Sequence, residues 1–142
     1  MANLLLLLAR EVSRYNSINS KKSKTDRDFA NMDEAERIVK HLADKHLPSG
    51  SGIDLGCKVD IKASSERKIV LFVDFHQTDE QGSYDGWDQY KVEVIAAFRD
   101  IPDLKITGGR SEYRSTKEYI TQALDAAFAT PVSSGLPLSI LN

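Results

Sequence analysis

Lys68-Ile-Val-Leu-Phe-Val-Asp-Phe-His-Gln77 is the stretch that decides how the chain folds. Valine, isoleucine and phenylalanine run through it, and these side chains fit a pleated surface better than a helix, so residues 68–77 predict a strand. Working outward, 78–87 (TDEQGSYDGW) holds two glycines and reads as a loop. Residues 89–98 (QYKVEVIAAF) read as a third strand, antiparallel to the second across that loop. Upstream, 64–67 (SSER) reads as a turn and 57–63 (CKVDIKA) alternates as a first strand. Downstream, Pro102 breaks the chain before a short fourth strand at 103–107 (DLKIT).

Helical spacing flanks this block on both sides. Residues 3–17 place Leu4, Leu8, Val12 and Tyr15 on one stripe, with Asn3 as N-cap. Leu5, Leu6 and Leu7 widen that stripe almost all round. Two covers suit it, a homo-oligomer interface or the face of the chain's own sheet. The opening MANLLLLLAR has no basic n-region, and its short apolar run ends at Arg10-Glu11, so it reads as helix rather than signal peptide or membrane span. Residues 19–28 (NSKKSKTDRD) read as a polar linker, whose Lys21, Lys22, Lys24 and Arg27 suit either solvated surface or an anionic partner. A second helix is expected over 32–46, started by Asn31 and Glu34 and stopped by Pro48 and the glycines of 48–56. A third is expected over 112–129, with Ser115 and Glu118 as a capping box and Tyr119, Ile120, Ala123, Leu124, Ala127 and Phe128 on its inner face. The expected fold is α+β: a mostly antiparallel four-stranded sheet with two N-terminal helices and one C-terminal helix packed on it. One domain is expected overall, with a helical region at 1–47, an α+β core at 48–130 and an irregular tail at 131–142.

Net charge is −2, so no overall field points to nucleic acid or to an anionic membrane. The single cysteine, Cys57, rules out an internal disulfide and a multi-cysteine zinc site, and suits a reducing cytoplasm. Cys57 reads as a small core residue rather than a nucleophile. His41 and His46 fall on the second helix, which leaves His76 as the histidine nearest other polar candidates.

Two stretches could carry chemistry. In 107–117 (TGGRSEYRSTK), paired glycines precede a helix start that bears Arg110, Arg114 and Lys117. Free backbone donors, the helix dipole and arginine forks together suit phosphate oxygens. The competing explanation is a plain strand-to-helix turn whose arginines meet surface carboxylates. In 74–88 (DFHQTDEQGSYDGWD), Phe75, His76, Tyr84 and Trp87 stand among Asp79, Asp85 and Asp88. Aromatic rings stack on nucleobases, and carboxylates accept hydrogen bonds from ribose hydroxyls. The competing explanation is a hairpin whose rings fold back on the sheet. The acids there do not follow the EF-hand spacing, so neither a metal nor another cofactor is expected.

PSGSGID at 48–54, DFH at 74–76, GSYDGW at 82–87, ITGGR at 106–110 and KEYI at 117–120 together resemble a family of small phage and prophage proteins. Ser83 and Gln77 depart from that family's pattern, which has an aromatic and a second histidine at those places. The resemblance implies a counter-defence role in a host bacterial cytoplasm. One such class, the Thoeris anti-defence sponges, sequesters cyclic ADP-ribose-type signals as oligomers without cleaving them. The leading expectation is therefore a non-catalytic binder of a small nucleotide, oligomeric through the Leu-rich helix, with no membrane or nucleic-acid partner. The alternatives are a protein-binding inhibitor of a host defence enzyme (anti-CRISPR-like or a nucleic-acid mimic), presenting the eight acids of 74–103, and a small enzyme with His76 as general base.

Overall fold

The computed structural model describes residues 3–48, 55–78, 84–95, 103–108 and 114–129, with positions 76–78, 84–88, 108 and 114–116 described by their backbone alone. The elements in chain order are α1 (Leu4–Asn19), α2 (Asp26–His46), β1 (Leu55–Val59), β2 (Lys68–Thr78), β3 (Tyr84–Ile95), β4 (Asp103–Gly108) and α3 (Arg114–Ala129). The fold is α+β, as the pattern predicts. Each strand pairs antiparallel with its sequence neighbour, in the spatial order β1-β2-β3-β4.

Alternation along the strands decides which face is buried. Ile69, Leu71 and Val73 of β2 stand opposite Val94, Val92 and Tyr90 of β3, and all six are sealed from solvent. They join one core with Leu4, Leu8 and Val12 of α1, Ile38, Val39 and Leu42 of α2, and Ile120, Leu124 and Phe128 of α3. The helices thus cover one face of the sheet. The other face carries Lys58, Asp74, Gln89, Lys91, Lys105 and Thr107, all exposed, with Phe72 half-buried among them. Val70 shares that open face yet is 1% exposed. The turn after β1 closes over it: Asp60 N donates to Val70 O (2.8 Å), Val70 N donates to Ser64 Oγ (2.9 Å), and Ser64 Oγ donates to Asp60 O (2.7 Å).

Asn3 caps α1 through Oδ1, which accepts from Leu6 N at 2.8 Å. Leu4, Leu5, Leu7 and Leu8 are buried within the chain, and Leu6 alone of the five is exposed, at 63%. Of the two covers expected, the chain's own fold buries these four leucines, through α2, α3 and the sheet. On α1 the buried Glu11 carboxylate lies 3.0 Å from Arg14 Nη2, which also lies 3.8 Å from Glu34 of α2.

Several boundaries differ from the sequence expectation. The second helix starts at Asp26, not Met32: Thr25 Oγ1 accepts from Asp28 N (3.1 Å) while Asp28 Oδ2 accepts from Thr25 N (3.0 Å), a reciprocal cap that leaves Asn31 inside the helix. The linker shrinks accordingly, and Lys21 reaches Asp28 at 3.1 Å. That hydrogen-bonding, from Thr25 first and then Lys21, holds the Asp28 carboxyl below its ordinary range. β1 is shifted to Leu55–Val59, because the chain turns at Asp60, whose Oδ1 accepts from Ala63 N. β3 begins at Tyr84, so much of the expected loop is ladder; Gly86 pairs with Gln77, and a register shift at Gln77/Thr78 absorbs the irregularity. α3 begins at Arg114, which puts Ser115 inside the helix rather than at its cap. The expected tail from Pro131 lies outside the described residues.

Candidate functional site

The β2–β3 ladder outruns its neighbours. Leu55 is the last β1 residue to pair along it, opposite Phe75, and β4 ends at Gly108, opposite Tyr90. Beyond those points, among the described residues, β2 and β3 pair only with each other: His76 faces Trp87 and Thr78 faces Tyr84, while Phe75, opposite Asp88, still pairs with Leu55 at the base. Tyr84, Asp85 and Trp87 are thus strand positions, not loop positions as the glycines suggested.

α3 returns to this end of the sheet. Phe75 packs on the core and meets Tyr119 edge-on, with ring centroids 6.0 Å apart and planes at 68°. Tyr119 was expected on the buried face of α3, yet it is 46% exposed. It sits next in sequence to Ile120, which with Leu124 and Phe128 forms the buried row. Arg114 opens the helix and Lys117 lies half-buried one turn later. Seven of the eight candidate residues thus lie on α3 or on this end of β2 and β3, and among the described side chains the Phe75–Tyr119 contact links the two elements. The eighth, Arg110, lies outside the described residues, as does Asp79.

Other candidate groups are constrained. Cys57 sits on the core side of β1, and burial first, then the nearby Asp74 carboxylate, pushes its thiol up to about 12. A thiol so protonated is no nucleophile at neutral pH. His46 is half-buried at the end of α2, and burial, with Lys45 and His41 nearby, pulls it below the ordinary imidazole range. Among the described residues no three His, Cys, Asp or Glu side chains gather to hold a metal ion, and no helix is long and apolar enough to cross a membrane.

A groove that no sequence motif marked lies at the other edge of the sheet. Its 520 Å³ are lined by residues including Tyr15, Glu36, Lys58, Phe72, Asp74 and Gln89. Gln89 Nε2 donates to Asp74 Oδ1 at 3.1 Å across the open face. The signal for it was the strand parity that puts Lys58 and Phe72 on one register row. Comparison of the chain with protein-family models, curated proteins and solved structures gives no match.

Proposed function

We propose that this protein binds and sequesters a small phosphate-bearing nucleotide, of the cyclic ADP-ribose or cyclic oligonucleotide kind, without turning it over. In a phage setting this is a counter-defence activity. The observation that supports the reading is the Phe75–Tyr119 contact, which brings α3 to the end of β2 next to the His76–Trp87 row. Arg114 and Lys117, with Arg110, would meet phosphate oxygens; Trp87 and Tyr84 would meet a ring; Asp85 and His76 would meet hydroxyls.

The test is thermal melting with cyclic ADP-ribose isomers and cyclic dinucleotides. At a hundredfold excess over Kd a ligand stabilises by about 2.7 kcal/mol, which raises Tm by about 9 °C for a chain of this size. Arg114→Ala and Lys117→Ala should each weaken binding by at least about tenfold, the value of one charge-assisted hydrogen bond. Absence of any shift, or a shift unchanged in both variants, overturns the reading. Mass spectrometry of the recovered ligand should find it intact; a hydrolysed product would favour an enzyme instead.

A further inference from the structure

Strand alternation splits the candidate residues of β2 and β3 between the two faces of the sheet. Phe75 lies with Leu71 and Val73 on the helix side, where it meets Tyr119. Position 76 is one residue further along β2, and its partner in β3, position 87, is two residues from Gln89. Both positions therefore fall on the open face, in line with Phe72, Asp74, Gln89 and Lys91. A ligand that places a ring on Trp87 thus has this face to extend over.

The rows of the open face follow from the register. His76 stands opposite Trp87, Asp74 opposite Gln89, and Phe72 between Lys58 of β1 and Lys91 of β3. Phe72 is half-buried and lines the 520 Å³ groove together with Lys58, Asp74 and Gln89. That volume lies within the range of small-ligand sites. Four residues of extended chain separate Phe72 from His76, a distance of about 13–14 Å. One base does not reach both rows, whereas two bases joined through a sugar–phosphate link do.

The polar groups between and beside these rows suit such a link. Lys58 and Lys91 are exposed on either side of Phe72, and among the described residues neither lies within ion-pair distance of a carboxylate. The acids of the same face are engaged or remote. Asp74 Oδ1 accepts from Gln89 Nε2 at 3.1 Å, Glu93 lies 3.5 Å from Lys68 Nζ, and Asp103 stands at the far end of β4. Glu36 and Asp60 border the groove at its β1 side, where Lys62 stands with them. Asp74 and Gln89 occupy the row midway between the two rings, where a carboxylate accepts from ribose hydroxyls.

We infer that Phe72 is a second ring-binding position and that the ligand of the open face is a dinucleotide. One base lies at the Trp87 row, its sugar over Asp74 and Gln89, a phosphate beside Lys91 and Lys58, and the second base on Phe72. This inference rests on the nucleotide reading above and narrows it to ligands with two bases.

The experiment titrates the full chain calorimetrically with cyclic di-AMP, the linear dinucleotide pApA, cyclic ADP-ribose and AMP; the last two carry one base each. The two-base ligands should bind the parent protein at least about tenfold more tightly than either one-base ligand. Phe72→Leu keeps an apolar side chain and removes the stacking ring. It should weaken the two-base ligands by at least about fivefold, the value of one stacked base, and leave AMP unchanged. Phe72→Tyr should bind as the parent does. Lys58→Gln and Lys91→Gln, both exposed changes, should each weaken the two-base ligands by about two- to fivefold and lessen their salt dependence. Trp87→Ala should weaken all four ligands. If no ligand binds the parent, or Trp87→Ala alters none of them, the nucleotide reading fails and this inference falls with it. If a one-base ligand binds as tightly as the two-base ligands, or if Phe72→Leu weakens all four alike or none, nucleotide binding stands and the second ring position is overturned.

Discussion

Asn16 offers a sharp test of how the helical layer is fastened to the sheet. Its amide Nδ2 donates to two carbonyl oxygens far along the chain, Ile61 O and Ser64 O, both at 2.9 Å. These bonds tie the last turn of α1 to the turn that seals Val70. Asn16→Ala removes both donors. At about 1 kcal/mol of net stability per bond the loss is about 2 kcal/mol. The site is only part-buried, so water can reach the freed carbonyls, and alanine is the better helix former by about 0.6 kcal/mol. The expected net loss is about 1–1.5 kcal/mol, or a fall of about 3–5 °C in Tm. Urea unfolding should show a lower midpoint with an unchanged slope, because the surface exposed on unfolding hardly changes. Asn16→Asp should be worse than Asn16→Ala, since it sets a carboxylate against two carbonyl oxygens. If Asn16→Ala unfolds within about 0.3 kcal/mol of the parent, or if the aspartate variant is the more stable of the two, the fastening role is wrong.

Three further outcomes follow from groups described above. Thr25→Ala should lose about 1 kcal/mol in urea unfolding, the usual cost of a lost N-cap, whereas Asn31→Ala should lose nothing measurable because Asn31 does not start α2. Cys57 should resist iodoacetamide in the folded protein and react at once in denaturant; its thiol ionises more readily when unfolded, so this group makes stability fall as pH rises from about 9 towards about 12, a fall that Cys57→Ala should remove. His46 has the opposite sense: the unfolded chain takes up its proton first, so stability should decline as pH drops below about 6.5, and His46→Gln should flatten that decline in acid titrations followed by circular dichroism.

The sheet was legible because its strands alternate over a strongly β-forming sequence. β2 was read to within a residue, and the Leu4–Leu8–Val12 stripe and the Asn3 cap of α1 were read directly. What misled were local signals overridden by their surroundings. Gly82 and Gly86 suggested a loop, but cross-strand pairing with β2 carries Gly86 within the ladder. The lysines of 21–24 masked the Thr25–Asp28 box, a cap that depends on two side chains rather than on hydrophobic period. The five leucines left two covers open, a second chain or the chain's own sheet, because a sequence does not reveal that α2, α3 and the sheet all converge on α1. Of the candidate site, the residue types were legible but their meeting was not: no spacing rule links Phe75 to Tyr119. The groove beside Lys58 and Phe72 left even less trace, because cross-strand register rather than any local motif brings its walls together.

The shared interior also fixes when the protein can fold during synthesis. Leu4 and Leu8 emerge first, yet their neighbours in the core include Ile120, Leu124 and Phe128. At about 5–20 residues per second, the leucine helix waits on the order of ten seconds before α3 has been made. Through that interval α2 and then the strands are its partial shelter, and the last of its cover closes only when α3 docks.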